Sequence, residues 1–75
     1  MKTKMNVIKT TKFVIYSENG TYVRGFSNQA NKDKYVNKQK VLGVKGYVEQ
    51  RDTYEQVTKT TRGLLMQEEF IVERF

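Results

Sequence analysis

KFVIYSENGTYVRGFS, residues 12–27, decides the fold. Two β-prone runs flank Asn19-Gly20, a dipeptide that supplies the two positive-φ positions of a two-residue type I′ hairpin loop. With that loop, Ser17 faces Tyr22, Tyr16 faces Val23, Ile15 faces Arg24, Val14 faces Gly25 and Phe13 faces Phe26. Opposed residues share a face. One face then carries Phe13, Ile15, Tyr22 and Phe26 with Ser17 and Arg24. The other carries Val14, Tyr16 and Val23 with Gly25, a glycine that marks a bulge or a close backbone approach. Both faces are largely apolar and a lone hairpin is marginal, so further strands or a helix must cover it. Core packing is the preferred role for its aromatics, with an exposed stacking platform for bases as the alternative.

Working outward, 75 residues make one domain, residues 1–75, near the size at which a core becomes thin. Leu, Ile, Val and Phe number nineteen, enough to fold a small core and few enough that a homodimer adding to it is a reasonable expectation. Nine Val and eight Thr against one Ala favour strands. Cysteine and histidine are both missing, which excludes zinc fingers, disulfide frameworks, thiol nucleophiles and imidazole acid–base chemistry. The same absence, together with an N-terminus that lacks an apolar signal core, points to a cytoplasmic protein. The longest apolar run, Phe13 to Tyr16, is far too short for a membrane span.

The remainder of the chain reads less sharply. Met5 and Val7 share parity with Phe13 and Ile15, so the first strand is expected to begin near Met5, behind a basic arm of residues 1–4. Residues 28–34 have loop composition, and Tyr35-Val36 suggests a short strand. Asn37 is a usable N-cap for a helix over 38–50, where Val41, Val44 and Val48 fall on one face. Gly43 and Gly46 weaken that helix, and a strand fits the same residues. Residues 53–61 read as a strand and Arg62-Gly63 as a turn. The tail, residues 64–75, fits a strand or a helix, the strand being preferred for its β-branched and aromatic content. The expected fold is α+β: a small antiparallel sheet built on an N-terminal β-hairpin, with one helix packed on it.

Phosphate-cradling glycine loops, dinucleotide fingerprints and calcium loops are all missing. Glu68 and Glu69 are neighbours that point apart on either regular element, so no metal site is expected. No cofactor and no enzymatic activity are expected either. Charge carries more information. The net +6 is uneven, with +8 on residues 1–51 and −2 on residues 52–75. Lys32, Lys34, Lys38, Lys40, Lys45 and Arg51 crowd twenty residues, with Tyr35 and Tyr47 interleaved. Lysines that meet phosphates supply non-specific nucleic-acid affinity and tyrosines can stack on bases. These eight residues form the candidate nucleic-acid site. A solvated basic surface is the competing explanation.

With its FVIYSENGTYVRGF hairpin, its KYVNKQKVLGVKGYVEQ stretch and its Thr-rich strand, the chain resembles the short accessory proteins of Gram-positive phages and mobile elements. The resemblance lies in style over the whole length and carries no specific motif. It implies action by binding, on nucleic acid or on a host protein. The alternative function is thus a protein-binding inhibitor or regulator of a host factor, of the anti-defence or anti-CRISPR kind, using a sheet edge and the apolar segment Leu64 to Phe75.

Overall fold

The computed structural model describes residues 6–75. Four strands and one helix follow in the order β1 (Asn6–Ser17), β2 (Tyr22–Phe26), α1 (Gln29–Val41), β3 (Gly46–Val57) and β4 (Arg62–Arg74). The strands form one antiparallel sheet ordered β2-β1-β3-β4, with α1 on one face. The fold is α+β and the opening hairpin is its first unit. The expected start of β1 at Met5 and the basic arm of residues 1–4 lie outside the described residues.

The hairpin keeps its expected register at Phe13–Phe26, Val14–Gly25 and Ile15–Arg24, then shifts so that Tyr16 faces Tyr22. The cause is the loop. Among the described non-glycine residues none has positive φ, so Asn19 cannot serve a type I′ turn, while Gly20 sits at φ 88°. The chain uses a three-residue loop, Glu18-Asn19-Gly20, with Gly20 N–H donating to Ser17 O at 2.9 Å and Ser17 N–H to Thr21 O at 2.8 Å. The Asn19 side-chain oxygen accepts from Thr21 N–H at 3.2 Å and from the Ser17 hydroxyl. The extra loop residue makes Val23 a bulge and moves Tyr22 onto the face of Val14 and Tyr16, away from the core. Gly25 itself is regularly paired.

The helix lies some nine residues before its expected place. It occupies what reads as loop 28–34 and short strand 35–36, and residues 46–50 belong to β3. Asn28, not Asn37, is the N-cap, its side chain accepting from Asn31 N–H at 3.2 Å. Gly43, at φ 75°, ends the helix in a Schellman arrangement: Val44 N–H donates to Gln39 O and Gly43 N–H to Lys40 O. Gly43 thus terminates a helix rather than sitting inside one. Val41 and Val44 are exposed, while Val48 is fully buried in β3.

The core is small. Phe13, Ile15, Val36 and Val48 are buried together, with Phe26, Tyr35 and Phe75 packed at the margin. Ile15 and Val48 are cross-strand partners, and Val36 closes over them from α1. Gly46 lies in close approach to its neighbours. A Cβ there would collide with the Tyr16 carbonyl oxygen and meet the Phe75 ring at 3.0 Å. Gly46 and Phe75 exchange two backbone hydrogen bonds of 2.9 Å, which tie the C-terminus to the start of β3.

The expected turn at Arg62-Gly63 comes earlier. Thr58 N–H donates to Thr61 O at 2.8 Å and the two threonine hydroxyls share a 2.6 Å hydrogen bond, while Arg62 already pairs with Val57. Residues 64–74 are strand, as preferred. Bulges leave Leu65 and Val72 unpaired, so Leu64 and Met66 lie on opposite faces.

Candidate nucleic-acid interface

The eight candidate residues do not form one surface. Lys32 faces inward from α1 and is buried. Its ammonium lies 2.6 Å from Asp33 and 3.7 Å from Glu73, and 5.1 Å from the centre of the Phe13 ring. Lys40 is held by Glu73 at 3.0 Å. These two lysines clamp the helix to β4 and are not free to meet an incoming phosphate. Lys45 is exposed in the turn that follows the helix.

Tyr47 and Arg51 lie on the opposite face of the sheet, where a cross-strand row runs Tyr22–Tyr16–Tyr47–Arg74. The rings of Tyr16 and Tyr47 stack at 5.2 Å, Tyr22 meets Tyr16 edge-on at 6.4 Å, and the Arg74 guanidinium lies 5.7 Å from the Tyr47 ring. Tyr47 therefore has a ring on one side and a cation on the other, so base stacking there needs rearrangement. Arg51 donates to the Tyr16 hydroxyl at 2.6 Å and to Glu49 at 2.8 Å, with Glu69 at 3.7 Å. The Glu49 hydrogen bond holds its guanidinium above the ordinary arginine value. Arg51 is internally satisfied.

Lys34, Tyr35 and Lys38 do come together. Lys34 and Lys38 are one helical turn apart on α1. With Asn31 and Tyr35 they line a shallow depression of about 330 Å³ whose other wall is Arg24 and Phe26 of β2. The Arg24 guanidinium lies 4.9 Å from the Phe26 ring and 5.8 Å from the Tyr35 ring, which themselves pack at 5.4 Å. Among the described residues no carboxylate stands within ion-pairing distance of Arg24, Lys34 or Lys38. Three unpaired cations thus surround an aromatic floor. Arg24 and Phe26 lie outside the basic segment that composition singles out. The hairpin register places both on the core-side face, and a helix laid over that face is what brings them to Lys34 and Lys38.

Among the described residues no group of three or more carboxylates is placed to hold a metal ion, and no helix is long and apolar enough to cross a membrane. Comparison with protein families, with curated proteins and with solved structures finds no match for this chain.

Proposed function

We propose that this protein binds nucleic acid through the depression formed by Arg24, Asn31, Lys34, Tyr35 and Lys38. The observation that carries the reading is the convergence of three cations without carboxylate partners around the Phe26–Tyr35 floor. Phosphates suit such a site because each cation gains a charge-assisted partner that it lacks in the free protein. Arg24 is pre-oriented by its aromatic neighbours, so it loses little freedom on binding. The two lysines are point charges on flexible stems and contribute affinity rather than sequence selection.

Fluorescence anisotropy with labelled single- and double-stranded oligonucleotides at several salt concentrations tests this. Three cations at phosphates predict a slope of log K against log salt of roughly −2 to −3. Arg24→Glu, Lys34→Glu and Lys38→Glu together should abolish binding while the circular dichroism spectrum stays that of the folded chain, with stability lowered by about 1 kcal/mol through the lost Arg24 contacts to Phe26 and Tyr35. Lys59→Glu, in the turn before β4, should leave the slope unchanged. An absence of binding at low salt, or equal sensitivity at Lys59 and Lys38, removes the proposal.

A further inference from the structure

β4 presents its whole length, Arg62–Arg74, as a sheet edge. It carries Leu64, Leu65, Met66, Phe70, Ile71 and Val72, all between 42% and 64% exposed. An edge of that length and composition is a template for another strand. Its sequence is also self-complementary. About Glu68, the triplet Leu64-Leu65-Met66 mirrors Phe70-Ile71-Val72, and Gln67 mirrors Glu69. Between the bulges, Met66 to Ile71 runs in unbroken register with β3, so this stretch can be paired on its free side as well.

We propose that β4 pairs antiparallel with β4 of a second copy, about a two-fold axis at Glu68, joining two four-stranded sheets into one of eight strands. A two-fold axis perpendicular to the sheet keeps each face on its own side, so partners must share a face. Met66 with Phe70 and Gln67 with Glu69 satisfy that condition. At the bulges themselves, Leu65 meets Ile71 and Leu64 meets Val72. A foreign strand would need no such mirror symmetry in β4.

The surface area agrees. The chain exposes 5804 Å², whereas a compact monomer of this mass exposes about 4,800 Å². The excess, about 1,000 Å², is shared between the open edges and the uncovered faces of the sheet, and a strand added at β4 removes the edge part of it. Like charges oppose the pairing at three points. Glu68 meets its own copy on the axis, with Asp52 its partner on β3, and at each end Arg62 of one copy faces Arg74 of the other. Like charges directly opposed weaken a strand pair, so neutralising Glu68 strengthens the dimer.

Sedimentation over a wide concentration range, with no oligonucleotide present, tests the dimer independently of the nucleic-acid reading. The wild-type chain should pass from monomer to dimer as concentration rises. Met66→Lys with Phe70→Lys should weaken association at least tenfold while circular dichroism of the monomer stays the same. Glu68→Gln should tighten it severalfold. The chain has no cysteine, so Glu68→Cys treated with diamide, which takes up the two electrons and two protons, should form a disulfide-linked dimer, its Cα atoms meeting at roughly 4.5–5.5 Å. Arg74→Cys lies about 40 Å from its copy in this arrangement and should not cross-link. A chain that stays monomeric at every concentration overturns the proposal. So does a dimer untouched by the two lysines, equal cross-linking at positions 68 and 74, or a monomer that pairs β4 only with the strand of another protein.

Discussion

Between Phe13 and Tyr16, β1 has β2 on one side, β3 on the other and α1 above it. Between Asn6 and Lys12 the same strand has β3 on one side, no described strand on the other, and no helix over either face. The first region buries Phe13, Val14, Ile15, Val36 and Val48. In the second, made of residues 6–12, 50–57 and 62–70, the one buried side chain is a carboxylate, Asp52. Asp52 accepts from the Thr11 hydroxyl at 2.8 Å and from the Gln50 amide at 3.1 Å, with Lys9 at 3.8 Å. Arg62 adds a two-pronged contact to Glu55 at 2.6 and 3.2 Å. One part of the sheet is thus held by apolar burial under a helix. The other is held by its backbone ladder and by polar cross-strand pairs, and it has no reserve of packing.

The contrast is sharpest for core truncation. Ile15→Ala should cost about 2–5 kcal/mol in a denaturant melt. Gly46→Ala should cost about 3 kcal/mol, because its added Cβ meets backbone at Tyr16 that cannot swing away. If either variant melts like the parent, the covered region is not the stability centre. Next comes Asn28→Ala, which removes the cap that starts the covering helix and should cost about 1 kcal/mol.

Acid should separate the two regions by a smaller effect. The hydrogen bonds from Gln50 and then Thr11 hold the Asp52 carboxyl below its ordinary value. A depressed carboxyl contributes stability that is present above the ordinary value of about 3.9 and is lost as pH falls through the lower folded value. The protection factors of amides in residues 6–12 and 50–57, which are corrected for the intrinsic slowing of exchange in acid, should therefore fall between pH 5 and pH 2 more than those around Ile15. A uniform loss of protection would deny Asp52 its local role. Smallest of all, Ile8→Ala, at a side chain already 42% exposed, should change stability by no more than about 0.5 kcal/mol.

The same division governs what the sequence makes legible. The hairpin is readable because its apolar alternation and its Gly20 turn are local, and three of its four register pairs follow from them. The register shift at Tyr16 is not readable, because Asn-Gly fits both a two-residue and a three-residue loop. The strand nature of residues 64–74 shows in their β-branched and aromatic residues. The helix is hidden, since Gln29–Val41 buries only Val36 and Lys32. No apolar stripe announces it, and a buried lysine reads as a surface one. The tempting spacing of Val41, Val44 and Val48 crosses the Gly43 terminator into a strand. The candidate interface suffers for the same reason. Adjacency in the chain suggests one surface, but the sheet puts Tyr47 and Arg51 on one side and Lys34 and Lys38 on the other. It then adds Arg24 from a strand whose role depends on where the helix lies.

The Thr58–Thr61 turn has a consequence for how this chain tolerates changes in length. No side chain of that turn contributes to the buried cluster, and its hydrogen bonds are satisfied within its own four residues. Side-chain direction along a strand repeats every two residues. Adding one two-residue step to each of β3 and β4 beside the turn therefore lengthens the ribbon and leaves every existing side chain on its own face. Adding a single residue to one strand either turns over everything beyond it or has to be absorbed in a further bulge, as at Leu65 and Val72. The far end of the sheet is in this sense an extensible arm, adjustable in increments of two residues per strand, attached to a base whose dimensions the helix fixes.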